Sequence, residues 1–426
     1  MSMILYNLVG GGRSALASSV LDHPTRLLAE SADGRHTEPM RGDHLAPAPA
    51  PTTRVTTFEL FFDLVFVLTI TRLTEVLHHE PDVIGLLTVF LILGNIWWMY
   101  AGYGWLTSNR ATSSLPSRLL LFVAMGGFLV MAIATPNAFG ADGLAFGLAY
   151  LVVVVVHLVI TLSFQRGGGR AVMQAAVSNL GSAVLLIIAG FVEGAADWWL
   201  WGIAAALHVG LLEFGRYGSF SLLAAHFVER HSVVLIVALG ESMVALGIGI
   251  GDRVLDPALL VAALMSLGLA AALWSLYFLD LDDDAERSLE TAPSERVVRI
   301  AGRAFGYGFV PLLGGIVMIS AGLAEVLEHP LDRLSPSGAA FLAGGAGIYI
   351  LGIAAFRQAV AAAGGIQWLA SGAATAVCIV AMWRGAALVA LAEVALLGVI
   401  LFGLAMISHR LRQRLRQDAR GAVVSD

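Results

Sequence analysis

Long apolar stretches recur along nearly the whole chain, and they constrain its fold more than any other feature. Val152–Val156 is an unbroken run of valine, and 377–382 and 394–406 are nearly as apolar. A helix needs about 20 such residues to cross a hydrocarbon core ~30 Å thick. The pattern predicts twelve spans at about 56–77, 82–104, 117–135, 142–164, 171–192, 197–214, 231–250, 257–280, 298–321, 338–360, 366–383 and 386–408. The 426 residues are 58% hydrophobic and 13% charged, against about 25% charged in a soluble domain. The fold class expected is therefore an all-α integral membrane protein.

The two ends are different material. Residues 1–53 are rich in Ala, Pro, Ser and Arg and end in Ala46-Pro47-Ala48-Pro49-Ala50-Pro51, a composition that builds no core. They are expected to be a disordered cytoplasmic tail. Met1–Leu8 lacks the basic start of a signal peptide, and Met40 is an alternative start. Residues 409–426 are expected to be a basic cytoplasmic tail, amphipathic over 404–415 and able to contact anionic lipid.

Arginine counting orients the chain. All 25 basic residues are arginine. With the N-terminus in the cytoplasm, inner loops receive Arg110, Arg118, Arg166, Arg170, Arg216, Arg230, Arg287, Arg296, Arg299, Arg303 and Arg357, while outer loops receive Arg253, Arg333 and Arg384. This bias follows the positive-inside rule, and both termini then lie inside. The acidic stretch 280–295 reads as an inner loop and does not disturb the assignment, because Asp and Glu contribute little to topology.

A weak internal repeat is visible. Aligning Glu59 with Glu229 sets Val65-Phe66-Val67-Leu68 against Leu235-Ile236-Val237-Ala238, and the following spans carry Trp98-Met99-Tyr100 and Trp274-Ser275-Leu276-Tyr277. Six spans per half give 54–214 and 215–408 the same orientation. That arrangement implies a pseudo-two-fold axis along the membrane normal, as transporters have.

Ionisable residues within spans are the best functional markers, since charge in a membrane costs ~2.5–3.5 kcal/mol per group on insertion scales. Glu59 and Asp63 are four apart on the first span and share a helix face. Thr56-x-x-Glu59 has the spacing of a capping box, which is the structural explanation for Glu59. Asp63 lies a turn deeper among phenylalanines and is either interfacial or buried with a partner. Arg72 reaches the outer interface or pairs with Glu75. His226, Glu229 and Arg230 lie three and four apart at the cytoplasmic border of the seventh span, on one face if helical. Glu241, between Gly240 and Ser242, lies near the bilayer midplane. Asp63, Glu241, Glu59 and Arg72 are the candidate ion or substrate pathway, with Asp63 and Glu241 brought together by the two-fold axis.

His157 and His208 read as packing histidines without metal-ligand spacing. Glu213 and Glu393 lie near or in spans six and twelve, and the lone Cys378 reads as a small hydrophobe. No phosphate loop, nucleophile elbow or zinc helix is present, so neither a catalytic site nor a cofactor is expected.

Glu59-Leu60-Phe61-Phe62-Asp63-Leu64-Val65-Phe66-Val67, with His226-Phe227-Val228-Glu229-Arg230-His231 and Leu239-Gly240-Glu241-Ser242, resembles the bacterial low temperature requirement protein A family over about 54 to 408. The resemblance implies a multi-pass inner-membrane protein named for growth at low temperature. It carries the motif positions onto Glu59, Asp63, His226, Glu229, Arg230 and Glu241, without roles. Phe61-Phe62-Asp63 bears a looser likeness to the Phe-Ser-Asp triplet of potassium channels of lysosomal type. There each half has the triplet, whereas here Val233 stands opposite Asp63.

The function expected is an ion- or proton-coupled transporter or channel, the alternative being a sensor or scaffold for growth in the cold. The partners expected are the lipid bilayer and an ion or small solute, with a homo-oligomer compatible with the sequence. A net charge of −6 does not point to nucleic acid.

Overall fold

The computed structural model describes residues 56–109, 114–164, 169–215, 222–250, 254–360 and 365–425. The proline-rich N-terminal segment and the arginines at 110, 166, 216 and 253 lie outside the described residues. The helices are α1 (Thr57–His79), α2 (Val83–Asn109), α3 (Leu115–Ala134), α4 (Gly143–Phe164), α5 (Gly169–Ala189), α6 (Ala195–Phe214), α7 (Ala224–Ile250), α8 (Pro257–Phe278), α9 (Leu281–Thr291), α10 (Ser294–Ala301), α11 (Phe309–Glu328), α12 (Pro336–Ala359), α13 (Gly365–Arg384) and α14 (Ala390–Ser425). A π-helical turn, Gly302–Tyr307, joins α10 to α11. Among the described residues there is no strand, only an isolated bridge between Arg333 and Val389.

Nine helical stretches among the described residues are long and apolar enough to cross a membrane, so the chain is a multi-pass helical membrane protein. Three of the twelve expected spans are missing from that count. Of α5, the residues whose side chains are described give the apolar stretch Met173–Ala189. The other two are α1, which carries Glu59, Asp63, Arg72 and Glu75, and α7, whose stretch 231–248 is nonetheless apolar with Glu241 as its one acidic residue.

Neighbours follow one pattern in both halves. In the first, α3, α4, α5 and α6 pack in succession, α1 lies on α3, and α2 lies on α6 and α4. In the second, α11, α12, α13 and α14 pack in succession, α7 lies on α11, and α8 lies on α14 and α12. The two sets meet where α1 and α2 pack against α7 and α11.

Three expectations are corrected. The acidic stretch 280–295 is helical rather than a loop: Leu281, Ala285 and Leu289 recur every fourth residue and form the buried stripe of α9, which packs on α7. The last span does not end in a separate tail at 409, because α14 continues to Ser425. Its extension docks on the α8–α9 corner, with His409 Nδ1 2.9 Å from Asp280 and Arg412 paired with Asp284, so Arg412 faces protein rather than lipid. Finally, Arg230 and Arg357 are not loop arginines; both side chains are buried inside the fold.

Two packing devices hold the centre. Trp97 Nε1 of α2 donates to Phe305 O at 2.9 Å and Gly306 O at 2.7 Å, satisfying carbonyls in the π turn. In addition, α11 and α12 approach closely at a glycine pair: a Cβ on Gly315 would come within 2.7 Å of Gly345 O, and one on Gly345 within 2.8 Å of Gly315 O. Small residues allow such contact between membrane helices, where packing rather than hydrophobic exclusion drives association. Gly345→Leu is expected to cost about 1–3 kcal/mol by overpacking. Thermal unfolding of the purified protein in detergent should show the lowered midpoint, while Gly372→Leu on the open face of α13 should leave it in place.

Candidate functional site

Glu59 and Asp63 of α1 point inward. Thr56 and Glu59 form the expected capping box: Thr56 N and Oγ1 donate to Glu59 Oε2 at 2.9 and 2.8 Å, and Glu59 N donates to Thr56 Oγ1 at 3.3 Å. Capping occupies only one carboxylate oxygen by these bonds. The other, Oε1, accepts from Arg230 Nη1 of α7 at 3.1 Å. Asp63, one turn along, lies with Oδ1 3.6 Å from Arg230 Nη2, and Tyr100 of α2 donates its hydroxyl to the same oxygen.

Three helices thus enclose one guanidinium. Arg230 Nη1 also donates to Thr107 Oγ1 of α2 at 2.6 Å. The rings of Phe62 and Tyr100 lie 5.5 and 5.8 Å from its central carbon, close enough for cation–π attraction. His226, one turn before Arg230, places Nε2 3.3 Å from Glu59 Oε2 and Nδ1 3.0 Å from Ser108 Oγ. Glu59, Asp63 and Arg230 are 3%, 1% and 1% exposed, so no lipid or bulk water reaches the pairing. Asp63 Oδ2 and Arg230 Nε have no hydrogen-bond partner. A crevice beside the cluster, lined by Phe58, Glu59, Phe62, Tyr103, Thr107 and Arg230, is too narrow for a water molecule.

Glu241 lies in the same seam at another depth. Thr71 Oγ1 of α1 donates to Glu241 Oε2 at 2.7 Å, and the next residue, Ser242, places Oγ 3.1 Å from Ser320 Oγ of α11. Glu59 therefore meets Arg230 while the later Thr71 meets the later Glu241, so α1 and α7 run in the same direction. Thr71 is eight residues beyond Asp63, roughly 12 Å along the helix axis. The expected meeting of Asp63 with Glu241 does not occur; each has its own partner.

Two further expectations are revised. Arg72 pairs with Glu75 at 2.6 Å, as one of its two readings had it, and this half-exposed bridge stands apart from the cluster rather than in a pathway with Asp63 and Glu241. Glu229 does not share the working face of α7: His226 and Arg230 turn toward α1, while Glu229 is exposed. Successive helical residues are ~100° apart, so Glu229 cannot follow Arg230 into so narrow a seam.

Tyr100, Thr107 and Ser108 complete the site, yet sequence reasoning did not select them as site residues. Neutral residues on a long apolar helix carry no spacing signal, and only their i, i+7, i+8 positions on one face of α2 could have suggested them. The histidines do pack: His208 stacks on Trp98 with ring centroids 5.1 Å apart and places Nε2 3.0 Å from the Tyr150 hydroxyl, and His157 lies edge-on to Tyr103. Near the C-terminal end of α6, Glu213 accepts from Arg303 Nε at 2.9 Å and from Tyr307. Cys378 is buried and free.

Fold and site together define a multi-pass α-helical membrane protein with an ion-paired cluster sealed between two parallel helices. The chain belongs to the family described as bacterial low temperature requirement A protein, whose model matches residues 54–406. It is also similar to an uncharacterized protein of Rhizobium meliloti, 28% identical over 285 residues that cover 64% of this chain and 69% of the relative. No solved structure matches.

Removing one member of a buried ion pair strands the other charge, at a cost of about 3–5 kcal/mol. Arg230→Met is expected to lower the stability of the detergent-solubilised protein by that order. Adding Glu59→Gln and Asp63→Asn to it should recover much of the loss, and a thermal-shift mutant cycle measures the coupling.

Proposed function

We propose that this protein is a proton-coupled transporter of the bacterial inner membrane, built from twelve spans as two parallel six-helix units with both termini in the cytoplasm. The observation that carries the reading is the buried cluster at the junction of the two helix sets: two carboxylates face one guanidinium, and Asp63 keeps one oxygen unpaired. Intramembrane charge that is neither lipid-facing nor fully neutralised is the usual mark of an ion or proton route. Glu59, Asp63 and Glu241 follow one another along the α1/α7 seam, one face of which is formed by each helix set. No catalytic role is assigned to any residue.

Several features support the repeat. The neighbour pattern of the first helix set recurs in the second. Tyr150 of α4 donates to Asn95 O of α2 at 3.4 Å, and Tyr349 of α12 donates to Leu273 O of α8 at 3.0 Å. The stripe Gln174, Ser178, Ser182 on α5 has its match in Gln367, Ser371, Thr375 on α13, each followed by Ala-Val. Tyr100 reaches Asp63 of α1 in one half, and in the other Ser232 of α7 donates to Tyr277 at 3.5 Å. Counting α1, α5 and α7 as spans is supported because Glu59 and Asp63, among the charges that keep α1 out on hydropathy, are buried in the seam, and 231–248 of α7 is apolar with Glu241 as its one acidic residue and no arginine.

The second reading, a sensor or scaffold, draws on the dense pairing and the narrow crevice. Reconstitution separates the two. In proteoliposomes under an imposed pH gradient, wild-type protein should carry proton-linked flux. Asp63→Asn and Glu241→Gln should each abolish it while the protein still elutes as a folded species, and Arg72→Gln should leave it unchanged. Flux that persists in both acid variants would falsify the transport route, and wild-type protein that carries none across a panel of cations would favour the scaffold.

A further inference from the structure

Outside the α1/α7 seam, another acid is buried more completely and paired less well. Glu393 stands in the first turn of α14 and is 0% exposed. An acid there ordinarily accepts from the free N–H groups of the helix start. Here those groups are already engaged. Ala390 N donates to Asp332 O at 2.9 Å, Leu391 N to Pro330 O at 3.3 Å, and Ala392 N and Glu393 N to Val389 O at 2.8 and 3.2 Å.

Both carboxyl oxygens of Glu393 are consequently without a hydrogen-bond partner. They lie against the backbone of Gly385, where a Cβ would come within 2.6 Å of each. The charged side chain that acts on Glu393 is another acid, Glu325 of α11. Glu325 is itself committed to the start of α12, accepting from Ser335 N at 2.5 Å and Ser335 Oγ at 2.8 Å. The arginines of the surrounding loops, Arg333 and Arg384, are exposed. A carboxylate anion sealed among these groups would have neither water, donor nor cation, which is the most costly state for it. A neutral carboxyl group avoids that cost and needs no extra room.

We propose that Glu393 is a proton-binding site, a carboxylic acid at neutral pH that exchanges its proton with the medium through the loop pair formed by 329–335 and 385–389. The exposed Leu388 and Val389 of that pair place it one loop away from the surface. A proton fits the site better than a metal cation, because the Gly385 backbone stands directly against the carboxyl group. The first helix set has a similar residue in Asp197, in the first turn of α6, which is buried with Oδ1 unpartnered. The inference concerns α14 and does not depend on the transport reading.

Infrared spectroscopy of the full-length protein in lipid nanodiscs tests it. The wild-type minus Glu393→Gln difference spectrum at neutral pH should contain the C=O stretch of a protonated carboxylic acid, shifted in D2O. Absence of that band, with the variant folded by circular dichroism, overturns the proposal. A second measurement uses wild-type protein alone. Dicyclohexylcarbodiimide, an apolar reagent that adds to protonated carboxyl groups, should label Glu393 at neutral pH, as mapped by mass spectrometry, and label it more slowly as the pH is raised. An unlabelled Glu393 also overturns the proposal. So does labelling suppressed by sodium or calcium at constant pH, which would assign the site to a metal cation.

Discussion

The fold depends on how one guanidinium is accommodated in a low-dielectric interior. Arg230 is too costly to leave facing lipid and too polar to bury alone. Its bonds to Glu59 and Thr107, its approach to Asp63 and the rings of Phe62 and Tyr100 draw α1, α2 and α7 into one contact. That contact is where the two helix sets meet. It also explains why α1 stands outside the nine apolar stretches: hydropathy counts Glu59 and Asp63 as though lipid met them, whereas both meet Arg230.

The sequence declared most of the helices, because a run of some 20 apolar residues has few alternatives. It also declared the cluster's charged members, since Glu59, Asp63, His226 and Arg230 stand out against an apolar background and recur at helical spacing. Their pairing was not legible. Which side of α7 faces α1 is decided by packing of the whole bundle, and so Glu229 was grouped with Arg230 although it turns outward. The hydroxyls of Tyr100 and Thr107 were hidden for the opposite reason, as neutral groups on a helix that would cross the membrane with or without them. The acidic composition of 280–295 concealed the four-residue stripe of α9, and arginine enrichment after 408 read as a tail although Arg412 and His409 have acids waiting on the α8–α9 corner.

Where the two helix sets correspond, they differ in charge. Tyr100 meets an aspartate on α1, while Tyr277 meets Ser232 on α7. The tyrosine position recurs and the ionisable partner does not, so any role for the charge belongs to one side of the seam. The likeness between the two helix sets is therefore carried by the tyrosines, while the acid that marks the first set has a serine as its counterpart in the second.

The register of the seam then sets what a proton could do there. Glu59 and Asp63 are four residues apart, roughly 6 Å along α1, and Arg230 lies between them, 3.1 Å from the first and 3.6 Å from the second. A shift of α7 by one residue, roughly 1.5 Å, shortens one of these contacts and lengthens the other. Neutralising Asp63 removes the attraction on one side only and leaves Glu59, which is fixed by its capping bonds to Thr56, as the remaining anchor. The two contacts are therefore unequal, and the charge on Asp63 bears on the longer of them.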